Sequence, residues 1–246
     1  MPRFFVNSEA IENENIIISG EDFNHIKNVL RLRQGDSLVI SDGNCTDYDV
    51  VIDRYTSINV VARIIGKNRN NNESEIDITL FQGVPKSDKM DMIIQKSVEL
   101  GVKRIVPVLT ERTVVKINNE RDSGNKVTRW QRIAHEASKQ CNRGILPTVE
   151  NPVALYEAVT KYKRADLSLI PYEKECGNRL KTILNSSNAK TISIMIGPEG
   201  GFSASEVELA SENGFLPVTL GPRILRTETA GLLALSIIMY ELGDIG

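Results

Sequence analysis

The residues best placed for chemistry lie between Ile196 and Ala230. Gly197-Pro198-Glu199-Gly200-Gly201-Phe202-Ser203 follows one short apolar, strand-like run and opens a helix. Leu220-Gly221-Pro222-Arg223-Ile224-Leu225-Arg226-Thr227-Glu228-Thr229-Ala230 follows another and does the same. Such strand-to-helix turns expose backbone groups suited to a small polar ligand. In open α/β sheets they gather at the carboxyl ends of strands, so two of them close in sequence are expected to wall one pocket. The plainer alternative is a pair of ordinary Gly-rich turns. Arg223, Arg226 and Glu228 flank the second turn, and the alternative for Arg226 is a surface ion pair with Glu228. Neither turn is a G-x-G-x-x-G fingerprint or a P-loop, and neither a G-x-S-x-G motif nor a nucleophile–His pair is evident. The pattern favours cofactor binding through backbone contacts over covalent or metal catalysis.

The elements that must position these turns alternate between strand and helix. Strands are predicted at Ile76–Phe81, Arg104–Leu109, Asp166–Ile170, Thr191–Ile196 and Phe215–Leu220. Ser87 is expected to cap a helix that carries Met90, Ile93, Ile94 and Val98 on one face and ends at Gly101. Thr128-Arg129-Trp130-Gln131 reads as a capping box ahead of a stripe from Trp130 to Cys141. Asn151-Pro152 reads as a helix start with Pro at its first position. Ser203-Ala204-Ser205-Glu206 is a further capping box, for a helix that stops at Gly214. Thr227 is expected to cap the last helix. That helix is apolar nearly all round and so must be buried on several sides, by a subunit interface or by a larger core. The alternation implies a mostly parallel sheet with helices on both faces.

Residues before 70 look mostly β. Ser37–Ser41 and Tyr48–Asp53 flank an Asp42-Gly43-Asn44 turn signal, and Ile58–Ile65 is a third run. A short helix capped by Asp22, with Ile26, Val29 and Leu30 recurring, is expected among them, giving a small barrel with one helix. The polar stretch Lys67–Ser74 reads as an interdomain linker, the alternative being a long surface hairpin.

The chain has 246 residues and a net charge of −2, with 8 Lys and Arg against 10 Asp and Glu in residues 1–70. Contact with phosphate would therefore come from a local patch. Cys45, Cys141 and Cys176 form no C-x-x-C, and the only histidines are His25 and His135. Neither a disulfide framework nor a metal site is expected, and a reducing, cytoplasmic setting fits. Met1–Val6 runs quickly into Asn7, Ser8 and Glu9, so no secretory leader is expected, and no apolar run approaches a membrane span.

Five stretches, in order, resemble the RsmE-type RNA methyltransferases of the SPOUT superfamily, and together they extend the resemblance over the whole chain. They are His25-x-x-x-Val29-Leu30-Arg31-Leu32-Arg33-x-Gly35-Asp36, Lys86 through Glu99-Leu100-Gly101-Val102, and Glu136-Ala137-x-x-Gln140-x-x-Arg143. The other two are Gly197 to Glu206 and Leu220 to Ala230. The resemblance implies a PUA-like β-barrel RNA-binding domain in residues 1–70 and an α/β methyltransferase domain in residues 75–246. The carboxyl end of the latter would be threaded into a trefoil knot whose third loop lies near Pro171. It implies S-adenosylmethionine as cofactor, a homodimer, and methylation of N3 of one uridine in 16S small-subunit ribosomal RNA near the decoding centre. Transfer RNA or 23S rRNA as substrate stays open, as does a non-catalytic RNA-binding ribosome-assembly factor.

In that family the adenine would rest on backbone around Leu220, Ile224 and Leu225. The amino-acid tail and sulfonium would lie near Gly197, Pro198, Glu199, Gly200 and Arg226, with Ile196, Gly221, Thr229 and Ala230 completing the site. Arg226 is the candidate to stabilise a developing uridine anion. Glu199 is a candidate base or an anchor of its own loop. His25, Arg31, Arg33, Gln140 and Arg143 are candidates to bind RNA, Gln140 and Arg143 sharing a helix face with Glu136.

Overall fold

A computed structural model describes residues 1–117, 119–162 and 165–246, apart from the side chain of residue 120. They divide into two compact units, residues 1–73 with 138–146, and residues 74–137 with 147–246.

The first unit is one six-stranded sheet. Its strands are β1 (Arg3–Phe5), β2 (Ile11–Glu12), β3 (Asn15–Ser19), β4 (Ser37–Ser41), β5 (Thr46–Tyr55) and β6 (Asn59–Arg69). They lie in the order β1-β4-β5-β6-β3-β2, antiparallel except for β1 beside β4. Alternation builds the core: Ile16 and Ile18, Leu38 and Ile40, and Val50 and Ile52 point inward at every second position. Register shifts at Asp49/Val50 and Ile52/Arg54 bend β5 and help the sheet curl. The predicted Asp42 turn is present, with Asp42 Oδ1 accepting from the Asn44 and Thr46 amides.

Two expectations fail in this unit and a third is met only in part. Helix α1 (Gly20–Asn24) is capped at Ser19, so Asp22 lies inside it and pairs instead with Lys139 at 2.8 Å. The helix then widens over His25–Val29, where the Leu30 amide donates to His25 O. That widening breaks the expected stripe: Ile26 is buried while Val29 is 69% exposed. The boundary between the two units does fall inside Lys67–Ser74, between Glu73 and Ser74, but the stretch is not a free tether. β6 runs through Arg69, and Asn70 is buried, donating to Asp47 Oδ2 (2.8 Å) and Asn142 O (3.2 Å). Glu73 accepts from the Arg143 guanidinium and from the amides of Gly144 and Ile145. Within the stretch, Asn70 and the Glu73 side chain are thus buried and satisfied, while residues 67–69, 71 and 72 are exposed.

The second unit is a parallel α/β sheet. Its strands are β7 (Asp77–Gly83), β8 (Arg104–Leu109), β9 (Thr148–Val149), β10 (Val153–Ala154), β11 (Leu167–Pro171), β12 (Thr191–Ile196) and β13 (Leu216–Val218). The order is β10-β8-β7-β12-β11-β13, with β9 also beside β8, and every pairing is parallel. β12 is buried from Ile192 to Ile196, as a strand covered on both faces must be. One face, with Phe81, Val106, Ile170 and Met195, packs on helices α4 (Leu155–Thr160) and α6 (Ala204–Glu212). Helices α2 (Lys89–Glu99) and α7 (Thr227–Glu241) pack on each other, and α7 also meets β12.

The remaining helices are α3 (Glu120–Gln140) and α5 (Leu180–Asn185), the latter not foreseen. Helix starts depart most from the sequence pattern. Ser87 has φ +57° and Asp88 is the cap of α2. Thr128 is interior to α3, its hydroxyl donating to Gly124 O, and Gln131 bonds Pro147 O and the Val149 amide instead of closing a capping box. Val153 and Ala154 pair with β8, so the helix predicted at Pro152 begins at Leu155. Among the described residues no helix is long and apolar enough to cross a membrane.

Candidate active site

β11 pairs with both β12 and β13, and all three run the same way, so their carboxyl ends share one sheet edge. Three loops leave that edge and wall one cleft of about 520 Å³. The first contributes Pro171, Tyr172 and Glu173, the second Gly197–Phe202, and the third Thr219–Leu225 except Pro222. Arg226, Thr227 and Ala230 at the start of α7, Ile196 of β12 and Lys89 of α2 complete the lining. Every residue expected to hold a cofactor faces this space except Thr229, which sits on α7 outside the lining.

The second loop is held from several sides. A Cβ on Gly83, at the end of β7, would sit 2.6 Å from Pro198 Cδ, so the strand and the loop touch only because Gly83 lacks a side chain. Gly201 takes φ +63°, and its amide closes a turn on Pro198 O at 2.9 Å. The predicted capping box forms: Ser203 Oγ accepts the Glu206 amide and Glu206 Oε2 accepts the Ser203 amide. Glu206 Oε1 also accepts the Glu111 amide at 2.7 Å, and neighbouring Arg112 donates to Gly200 O at 2.7 Å.

Thr227 is the first helical residue of α7 and not its cap; Arg226 occupies the N-cap position without a side-chain capping bond. The Thr227 hydroxyl instead donates to Gly197 O at 2.6 Å and accepts from Gln82 Nε2 at 2.9 Å. Gln82 is fully buried, and its Oε1 has no hydrogen-bond partner.

Glu199 accepts from the Lys86 amide at 3.1 Å and pairs with Lys89 Nζ at 3.0 Å. Partial burial works to raise this carboxyl. The Lys89 hydrogen bond, the backbone amides and the Lys89 charge outweigh it, so Glu199 lies below the usual carboxylate value. Lys89 is raised, first by its hydrogen bond to Glu199 and, against some desolvation, by Glu228. Lys89 Nζ stands 3.4 Å from Glu228 Oε2, an ion-pair distance without hydrogen-bond geometry. Glu228 is thus paired with Lys89, and the expected alternative of an Arg226–Glu228 bridge is not found. Arg226 is exposed at the cleft edge.

Sequence reasoning missed Lys89, Gln82 and Thr227 as parts of this assembly. Gln82 carried a signal, a polar residue at the end of an apolar strand. Lys89 carried none, because its partners lie more than 100 residues away.

The candidates in the first unit fare differently. Arg31 and Arg33 are exposed after the widened turn, and Gln140 is exposed at the end of α3. His25 is half-buried, edge-on to the Phe4 ring at 5.7 Å. Arg143 must be withdrawn as a phosphate contact: it is 3% exposed and held by Glu73 at 2.7 Å. It also lies past the end of α3 and does not extend the helix face of Glu136 and Gln140.

Comparison with known proteins agrees with this geometry. Residues 72–239 match the family model of an RNA methyltransferase domain, and residues 18–65 that of an RNA methyltransferase PUA domain. The Bacillus subtilis ribosomal RNA small subunit methyltransferase E is 32% identical, over 98% of this chain and 97% of its own. A crystal structure of that enzyme from Neisseria gonorrhoeae, bound to S-adenosyl methionine, superposes with a TM-score of 0.89 at 34% identity, covering 100% of both chains. A Legionella pneumophila protein solved with bound cofactor SAM gives 0.89 at 35% identity, covering 99% of this chain and 98% of its own.

Proposed function

The chain belongs to the RNA methyltransferase family of the small-subunit methyltransferase E type, and from that premise we propose that it methylates N3 of one uridine in 16S ribosomal RNA, using S-adenosylmethionine. The observation that carries this reading is the convergence of three loops from one sheet edge on a single cleft of nucleoside size.

The lining fits such a cofactor. Ile224 is 87% exposed and, with Leu220 and Leu225, offers apolar surface and backbone groups to an adenine. Glu173, Glu199, Arg223 and Arg226 offer both signs of charge to an amino-acid tail. When bound, S-adenosylmethionine supplies a methyl group already activated by its sulfonium. The chain's own residues hold the base in line and exclude water. N3 of uridine is protonated at neutral pH; that proton passes to solvent water before N3 takes the methyl group, and Arg226 stabilises the negative charge it leaves on the base. The partners that hold Glu199 ionised favour its role as loop anchor over that of base.

Arg31, Arg33, Gln140 and His25 contact RNA from the first unit, which acts as the RNA-binding domain, with the second as the methyltransferase domain. Half-buried Leu232, Leu233 and Ile237 and exposed Tyr240 on α7 favour a homodimer through that helix. The three converging loops support the knotted threading that the family implies, and the enzyme works in the cytoplasm on rRNA near the decoding centre.

Nucleoside mass spectrometry of RNA from a strain lacking the protein tests the reading. Loss of 3-methyluridine from 16S rRNA is expected, whereas loss of another nucleoside, or of one from transfer RNA or 23S rRNA, overturns it. In purified protein, Arg226→Lys should lower kcat at saturating cofactor by about 10²-fold or more, the scale of a lost charge-stabilising donor.

A further inference from the structure

We propose that Lys89 is a positioning residue of the cleft: its ammonium joins Glu199 of the second loop to Glu228 of α7, so that two walls are set by one shared cation. This rests on the methyltransferase reading for its consequence, and on the geometry of the chain alone for its existence.

The three groups come from distant parts of the sequence. Lys89 is the first residue of α2, Glu199 lies in the loop after β12, and Glu228 is the second residue of α7. Nζ stands 3.0 Å from Glu199 and 3.4 Å from Glu228, whose side chain is only 15% exposed. Two carboxylates in reach of one ammonium repel each other when it is removed. They are then relieved either by moving apart or by sharing a proton. Other charged groups stand near this corner. Lys86 presents its amide to Glu199, and Asp88 and Asp91 at the start of α2 are engaged by Arg129. Glu173, Arg223 and Arg226 line the wider cleft.

The arrangement also separates two roles for Glu199. A base must release its partners to take a proton, whereas an anchor keeps them. An ionised carboxylate held by an ammonium and an amide is a weak proton acceptor.

The test is cofactor affinity by calorimetry as a function of pH, in wild type, Lys89→Met and Lys89→Arg. Lys89→Met should bind S-adenosylmethionine at least about tenfold more weakly at neutral pH. The deficit should shrink as pH falls through the range in which one proton can replace the missing cation. Lys89→Arg should restore both affinity and the wild-type profile. Taking ratios to wild type cancels the cofactor's own titration. A deficit that is constant with pH, or absent, overturns the proposal, because a purely structural stem would give that result.

A second measurement needs no cofactor. Carboxyl NMR titration of the free protein should place Glu199 below the usual carboxylate value in wild type, and should move Glu199 upward in Lys89→Met. An ordinary or raised value for Glu199 in wild type overturns the proposal even if the variant fails to fold. Failure of wild type to bind the cofactor would instead overturn the functional reading and leave the titration to decide this one.

Discussion

Thr227 Oγ1 donates to Gly197 O at 2.6 Å, joining the first residue of the last helix to the loop that follows β12. The same hydroxyl accepts from buried Gln82, so one side chain ties together the end of a central strand and both neighbouring walls of the cleft. Thr227→Val keeps the shape and deletes both bonds. It should cost about 1–3 kcal/mol in unfolding experiments, the range for stranding a buried polar group. Cofactor affinity should fall by about tenfold or more. Unchanged affinity would show that the two walls hold their places without this bridge.

Two glycines separate close approach from conformational freedom. Gly83→Ala would place a Cβ 2.6 Å from both Pro198 Cδ and Pro198 N, with no flexible side chain to yield. A loss of about 1–3 kcal/mol is expected, with weaker cofactor binding, because overpacking here moves the loop. Gly124→Ala in helix α3 meets nothing within 4 Å and should stabilise by about 0.5–1 kcal/mol. Thermal melts of both variants check the contrast, which fails if they shift the same way.

Arginines of the first unit should divide into structural and RNA-binding classes. Arg143→Ala leaves buried Glu73 without its cation, and should cost about 3–5 kcal/mol. The double variant Arg31→Ala, Arg33→Ala alters exposed side chains and should change stability by only about 0.5 kcal/mol per site. It should nevertheless weaken binding to a 16S rRNA fragment, and flatten the plot of log affinity against log salt by about 0.7–0.9 for each phosphate that is no longer neutralised. An unchanged salt slope would remove these two residues from the RNA surface.

Acid should loosen the cleft before it unfolds the chain. Glu199 has a lowered folded pKa, so its contribution to stability is present above its unfolded value and is lost as pH falls through the folded one. Fluorescence or NMR of the cleft loops should show a transition below about pH 4.3, the unfolded carboxyl's value, that Glu199→Gln removes. A transition that persists in Glu199→Gln would assign it to other groups.

What could be read in advance follows from the range of each interaction. The Ser203 capping box was legible because donor, acceptor and helix start all fall within Ser203–Glu206. The two glycine loops were legible because strand, turn and helix follow one another directly. The same Thr-x-x-Gln pattern misled at Thr128, where α3 had already begun at Glu120 and the hydroxyl turned back to Gly124. Pro152 misled because Val153 and Ala154 find an edge of β8 before the helix begins. The pairings of Asn70 and Glu73, in the expected linker, and of Arg143, an expected RNA contact, were not legible because their partners are about 70 residues apart in the chain. Local sequence reports composition there, and only the fold reports who answers whom.

The Glu73–Arg143 pair bears on how this protein is made. Glu73 closes the first stretch of the amino-terminal unit, yet the guanidinium and the amides that satisfy it arrive only with residues 143–145. On the ribosome, the early β segment must therefore wait for residues 74–137 of the second unit to be translated before Glu73 meets its cation. A fragment of residues 1–73 should accordingly be cut by protease faster than the same stretch in the intact chain, and this unit, although first out of the tunnel, would be finished late.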